Sequence, residues 1–258
     1  MFRLLSEVTL VKETNASADS SNRGLYLTLD TDWCHERILV DTLQILESHG
    51  ARATIFCTDQ SKSLDLLHGN PNIELGIHPN FRPLLDGKVE GKGLTAEKIL
   101  DDMLSVVPSA KCVRSHSLIS GSNLTALFVS RRLTHESNLK IPFAAASNVR
   151  PFAHPTGMVM CPFQWGDYSE MTTSIPLDLA KDYLVVNFHP IHVFLNSKSL
   201  HAYERTRSLH YAPEELIKYR YKGRGVRTVL LELLQSLSTL KSHTRNRESR
   251  CVRAAVAL

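Results

Sequence analysis

The sequence predicts an α/β fold, a parallel sheet or barrel with its helices outside. Three observations carry this prediction. Short apolar runs of strand length alternate with segments of helical periodicity over residues 25–133. Four of the runs end in groups that can bind a ligand or move a proton: Asp30 and Asp32, His78, His116, and His189. In such folds the chemistry gathers at the carboxyl ends of the strands. The chain has 258 residues, 43% hydrophobic and 22% charged, which excludes collagen-like, mucin-like and disordered classes.

The elements follow in order. Residues 25–29, Leu-Tyr-Leu-Thr-Leu, read as a buried strand ending in Asp30-Thr31-Asp32-Trp33. A helix is expected over 36–49, with Ile38, Leu39, Thr42, Leu43, Ile45 and Leu46 on its apolar face and Gly50 closing it. Residues 53–57 form a second strand, and 63–68 a short helix closed by Gly69 and Pro71. The third strand, 73–77, ends in His78-Pro79-Asn80. A loop with Gly87, Gly91 and Gly93 leads to Thr95, the N-cap of a helix over 96–107. A short strand over 112–114 ends in Ser115-His116-Ser117, and 124–133 reads as a helix. Residues 134–163 are expected to be strands and loops punctuated by Pro142, Pro151, Pro155 and Pro162. Residues 183–188 are an apolar strand ending in His189-Pro190-Ile191-His192. Residues 198–224 are polar and rich in Arg and Tyr, and 226–240 form an amphipathic helix. Residues 1–22 carry no clear pattern.

Lys and Arg number 30 against 26 Asp and Glu, a surplus of +4. Lys241, Arg245, Arg247, Arg250 and Arg253, set against Glu248, account for all of it. Residues 1–240 are therefore read as a single neutral domain, and 241–258 as a basic, mobile tail. A nucleic-acid partner would need a basic face on the body, and none is advertised. Five cysteines, an odd count without a C-x-x-C pair, argue against a disulfide framework and a thiolate zinc site. Glu7 interrupts the region where a signal peptide would be apolar, and no run approaches the roughly 18 apolar residues of a membrane span. The expectation is a cytoplasmic protein with no membrane span.

Asp30 and Asp32 lie two residues apart, so an extended strand would aim both to one side. Ionised neighbours repel, and a divalent metal or a shared proton relieves the repulsion. One can then bind metal while the other takes a proton from water. The plainer role is a helix cap and a turn carboxylate ahead of Glu36. One carboxylate with His78 and His116 suits zinc, cobalt, nickel or iron and leaves positions open. Each histidine alone could equally be a structural donor. Arg114 either orients Asp30 or pairs with a surface acid. His189 can protonate a leaving amine near neutral pH. Trp33 and Trp165 are candidate sugar-stacking walls or core-rim residues, and Asp167 either tunes His189 or caps a turn.

The strings T-L-D-T-D-W at 28–33, L-E-S-H-G at 46–50, A-T-I-F at 53–56, E-L-G-I-H at 74–78, R-S-H-S at 114–117, W-G-D at 165–167 and V-V-N-F-H at 185–189 resemble, in order, the polysaccharide deacetylase (NodB-homology) family. The detail of D-T-D-W-C-H-E, G-I-H-P-N-F and F-H-P-I-H resembles its WbmS-type branch, found with O-antigen biosynthesis genes. The resemblance implies a distorted (β/α) barrel of mostly parallel strands with outer helices. It implies a metal-dependent hydrolase that removes N-acetyl or related acyl groups from sugars. Asp30 then resembles the catalytic base, Arg114 its orienting arginine and His189 the catalytic acid. Asp32 and His78 resemble metal ligands, although Thr31 separates a pair that the family keeps adjacent. The family's second histidine falls at Arg82 here, so His116 is the expected replacement, ahead of His35 and Asn80. Trp33, Asn80, Trp165, Asp167 and His192 complete the expected substrate contacts. The implied cofactor is one divalent ion, zinc first, and the implied partner an acylated sugar, free or carried on a nucleotide or lipid. Two other readings compete: a barrel metallohydrolase acting on phosphate esters, and a degenerate homologue that only binds glycan.

Overall fold

The computed structural model describes residues 2–10, 24–59, 62–87, 93–145, 149–177 and 183–237. The tail 241–258 and the end of the last expected helix lie outside these residues. The strands are β1 (Phe2–Arg3), β2 (Gly24–Asp30), β3 (Ala53–Cys57), β4 (Ile73–Ile77), β5 (Cys112–Val113), β6 (His135–Glu136), β7 (Phe152–Ala153), β8 (Val159–Met160), β9 (Trp165–Gly166) and β10 (Tyr183–Phe188). The helices are α1 (Glu36–Ser48), α2 (Lys62–Leu67), α3 (Arg82–Leu85), α4 (Ala96–Val106), α5 (Ser122–Ser130), α6 (Pro190–Leu195), α7 (Leu200–Glu204) and α8 (Pro213–Leu216). A further helix covers residues 226–237.

The strands form one sheet in the order β7-β8-β6-β5-β4-β3-β2-β10-β9, with β1 added beside β2. Among the described residues, only the β7–β8 hairpin is antiparallel. The run 159–166 draws the sheet round on itself. Its early residues bond to β6 and the segment after it, through Cys161 N–H to Glu136 C=O and Phe163 N–H to Leu139 C=O. Its later residues bond to β10, through Gln164 N–H to Val185 C=O and the Trp165–Val186 register. The expected distorted, mostly parallel barrel with outer helices is what the chain forms.

Alternation along the strands explains the layers. On β2, Leu27 and Leu29 face the helices and join the larger core with Leu39, Leu46, Phe188 and Leu230. Tyr26 faces inward and packs with Leu5, Phe56, Cys112, Phe163, Tyr183 and Val185. The inward face therefore starts apolar at the amino end of the strands and turns polar at the carboxyl end. Thr28 and Asp30 succeed Tyr26 on β2, and Asn187 and His189 succeed Val185 on β10.

Several expectations need correction. Residues 1–22 were expected to be unpatterned, yet Phe2, Leu5 and Val8 are buried. Leu5 N–H donates to Thr54 Oγ1 at 2.9 Å, Ser6 N–H to Glu74 Oε2 at 3.2 Å, and Val8 C=O lies 3.0 Å from His135 Nε2. This segment crosses beneath the amino ends of β3, β4 and β6 and closes that end of the barrel. His35, not an aspartate, caps α1, its Nδ1 accepting from Arg37 N–H at 3.1 Å. The chain after His189 turns at once into α6, because Pro190 at the first helical position needs no donor partner. Residues 198–224 hold α7, α8 and two 3-10 turns. No helix among the described residues is long and apolar enough to cross a membrane.

Candidate active site

At the carboxyl ends of β2, β4, β5 and β10 lies a cleft of about 250 Å³, lined by residues including Asp30, Asp32, His78, His116, Asn187 and His189. Asp30 is the last residue of β2 and is buried. Asp32 is not a continuation of that strand. Asp32 and Trp33 take left-handed backbone at φ 44° and 55°. Such a pair of non-glycine residues persists only where surroundings hold it. Thr31 and Thr58 do so. Thr31 N–H donates to Phe56 C=O at 3.1 Å, the two hydroxyls are 3.0 Å apart, and Trp33 N–H donates to Thr58 Oγ1 at 2.9 Å. The extra residue Thr31 is thus the anchor of the turn that swings Asp32 to the histidines.

Asp32 Oδ1 sits 3.2 Å from His78 Nε2 and 3.0 Å from His116 Nδ1. One ligand atom from each of Asp32, His78 and His116 lies within 4.8 Å of the others. Two imidazoles and a carboxylate are a donor set that suits a borderline divalent ion. The buried Nδ1 of His78 has no hydrogen-bond partner, with Asp30 Oδ1 4.0 Å away. Arg82 stands aside, exposed at the start of α3, with Nε 3.7 Å from Asp86.

Asp30 is gripped from below. Arg114 is fully buried, its guanidinium between the rings of Phe56 at 4.6 Å and Phe163 at 4.8 Å. Its Nη1 donates to Asp30 Oδ1 at 3.0 Å, Asn187 Oδ1 at 2.5 Å and Thr28 Oγ1 at 2.9 Å. Asn187 Nδ2 donates to the other Asp30 oxygen at 2.7 Å. Burial works to raise the Asp30 carboxyl, but Arg114, then His78 and His189, outweigh it and hold it below its ordinary range. Asp32 is likewise lowered: burial opposes, and hydrogen bonds from His116 and His78 prevail.

Across the cleft, His189 Nδ1 donates to Asp167 Oδ1 at 2.6 Å, and Asp167 Oδ2 accepts the His189 N–H at 2.6 Å. His189 Nε2 therefore faces the aspartates, 3.4 Å from Asp32 Oδ2 and 3.8 Å from Asp30 Oδ2. Burial pushes this imidazole down, but Asp167, Asp32 and Asp30 carry it up to about 10.

The expected substrate contacts are only partly brought to the cleft. Trp33 is half-buried, edge-on to His116 at 5.0 Å. Trp165 is sealed in the core against Phe188, so it offers no face to a sugar. Asp167 is fully buried beneath His189 and serves that ring instead. His192 is buried in α6, with Nδ1 3.1 Å from Ser197 Oγ and its ring on Tyr203. Asn80 Oδ1 accepts from Arg82 N–H at 3.0 Å and caps the entry to α3. Sequence reasoning missed Tyr168 and Leu118 in the cleft wall and Asn187 at its floor. Asn187 left a signal: a lone amide within an apolar strand, two residues before His189 and so on its face.

The WbmS-like polysaccharide deacetylase family model matches residues 27–207. A crystal structure assigned as a polysaccharide deacetylase involved in O-antigen biosynthesis, from Bordetella bronchiseptica, is 36% identical with a TM-score of 0.78, covering 83% of this chain and 91% of that one. A structure assigned as a polysaccharide deacetylase from Mycobacterium smegmatis is 14% identical, with a TM-score of 0.45 and coverage of 90% and 96%. A family 4 carbohydrate esterase from Streptomyces lividans is 13% identical, with a TM-score of 0.41 and coverage of 81% and 88%. No curated protein matches significantly. Fold and site together fall within the polysaccharide deacetylase class. Within that class, the chain belongs to the WbmS-like family.

Proposed function

We propose that this protein hydrolyses the N-acetyl, or a related N-acyl, amide of a sugar destined for an O-antigen-type surface polysaccharide. The observation that carries the reading is one cleft in which the Asp32-His78-His116 cluster faces both Asp30 and the His189–Asp167 pair. The likeness to the Bordetella bronchiseptica protein supports the biosynthetic setting. Asp32, His78 and His116 would hold a divalent ion, zinc first, with cobalt, nickel or iron accepting the same donors. Such an ion, when bound, supplies Lewis acidity at the amide carbonyl and makes a water more acidic.

The chain's own residues supply the rest. Asp30 takes a proton from the attacking water. Arg114 and Asn187 hold both of its oxygens, so the carboxylate has one orientation to offer. His189 gives a proton from Nε2 to the departing sugar nitrogen, while Asp167 fixes Nδ1 and the ring. Leu118 and Tyr168 wall the cleft, and Trp33 at its side is the residue we assign to sugar contact. We propose the cytoplasm as the place of reaction and a precursor of the polysaccharide as its substrate.

The test is acetate release by metal-loaded protein from free, nucleotide-linked and lipid-linked N-acetylated sugars, alongside metal content by elemental analysis. Release from one of these, with about one equivalent of metal in a site of this donor set, is the expected result. A metal-loaded sample that releases no acetate from any of them would overturn the reading.

A further inference from the structure

The residues that follow Thr134 do more than pair with their neighbours in the sheet. Successive strand side chains face opposite ways. Ser137 turns inward, where its Oγ accepts from Arg114 Nη2 at 2.8 Å and its carbonyl from Arg114 Nε at 2.9 Å. Glu136 and Asn138 turn outward, and both are buried. Asn138 Oδ1 accepts the Ser115 backbone N–H at 2.6 Å, and its Nδ2 donates to Glu136 Oε1 at 2.9 Å. The second Glu136 oxygen accepts from Thr125 Oγ1 of α5 at 2.9 Å. The Ser115 N–H, which can only donate, fixes this orientation of the Asn138 amide and leaves Nδ2 for Glu136.

A carboxylate buried against two neutral donors is costly, and an apolar strut would fill the space more cheaply. What it braces is the loop that carries His116. Ser117 and Leu118 both take left-handed backbone, at φ 58° and 56°. Consecutive strained non-glycine residues hold only where the surroundings fix them. The start of this loop is held by His116 N–H to Pro79 C=O at 2.9 Å, Leu118 N–H to Ser115 C=O at 2.9 Å, and Asn138, which bonds both the Ser115 N–H and its Oγ.

We propose that Asn138, braced by Glu136, is a positioning residue for His116 and sets the affinity of the cleft for its divalent ion. The proposal rests on the metal reading above. Asn138→Asp keeps the acceptor for Ser115 but sets two carboxylates against each other. Adding Glu136→Gln returns the missing donor from the other side.

The experiment titrates metal-free full-length protein with Zn²⁺ against a competing chelator, below the melting temperature of each variant. Asn138→Asp should weaken zinc binding about 10–100-fold, the usual cost of losing support behind a metal ligand. The Glu136→Gln/Asn138→Asp double variant should recover most of that loss. Asn138→Ala, which leaves the Ser115 amide unpaired, serves if the aspartate variant does not fold. Wild-type affinity in the folded single variants would overturn the brace while leaving the metal reading intact. Wild-type protein that binds no zinc would overturn the metal reading, and this proposal with it.

Discussion

Asp30 is held by Arg114 and Asn187 at 3.0 and 2.7 Å, while Asp32 is held by imidazoles alone. On the proposed function, that asymmetry separates the proton acceptor from the cation ligand among two carboxylates of identical chemistry. Asp30→Asn should lower turnover about 10²–10⁴-fold with metal content unchanged, as read by acetate release and elemental analysis. His189 makes a second prediction. Burial lowers its pKa, but Asp167, Asp32 and Asp30 raise it to about 10. A group raised on folding contributes stability below its unfolded value of about 6.5, and the contribution fades as pH rises through the folded value. Metal-free wild type should therefore lose melting temperature between about pH 7 and pH 10. Asp167→Asn should flatten that slope, which calorimetry across the pH series would show. An equal slope in both would remove Asp167 as the main support.

Among the elements, the strands with long apolar runs were legible because alternation and length mark them without help from the rest of the chain. β2, β3, β4 and β10 begin or end within a residue or two of their expected bounds. So were the helices with a capping residue or a closing glycine, such as α4, where Thr95 Oγ1 accepts from Lys98 N–H, and α1, which Gly50 follows. The site residues at strand ends were legible for the same reason, since a strand ends where its side chains become polar. What escaped were pieces whose structure depends on contacts far along the chain. β1 is two residues long and exists because β2 offers it an edge. Trp165 was misplaced because its burial depends on packing against Phe188 of β10, which spacing alone does not locate, whereas Asp167 took the first of its two expected roles, beside His189. Leu5 tests the weight of the first of these. It is fully buried in the inner core, so Leu5→Ala should cost about 2–5 kcal/mol. Urea titration of the two proteins would measure it, and a change within error would deny the N-terminal segment a structural role.

Across the whole molecule, the described residues that line the site all belong to the barrel. No motif falls in residues 241–258, and the sequence places the net charge there. Removing them should leave acetate release and its substrate dependence unchanged. A large loss would show that the tail takes part in binding. The segment 2–10 has the wider consequence. With residues 5–8 laid across the amino end, the inner apolar cluster above them and Arg114 wedged between Phe56 and Phe163, the described residues close the cleft at its floor. Both products must leave the way the substrate came. On the proposed function, with the acyl group at the floor beside Asp30 and Asn187 and the sugar at the rim, departure should be ordered, with the amine first. Acetate should then inhibit competitively against substrate and the amine noncompetitively, a pattern that steady-state product inhibition reads directly.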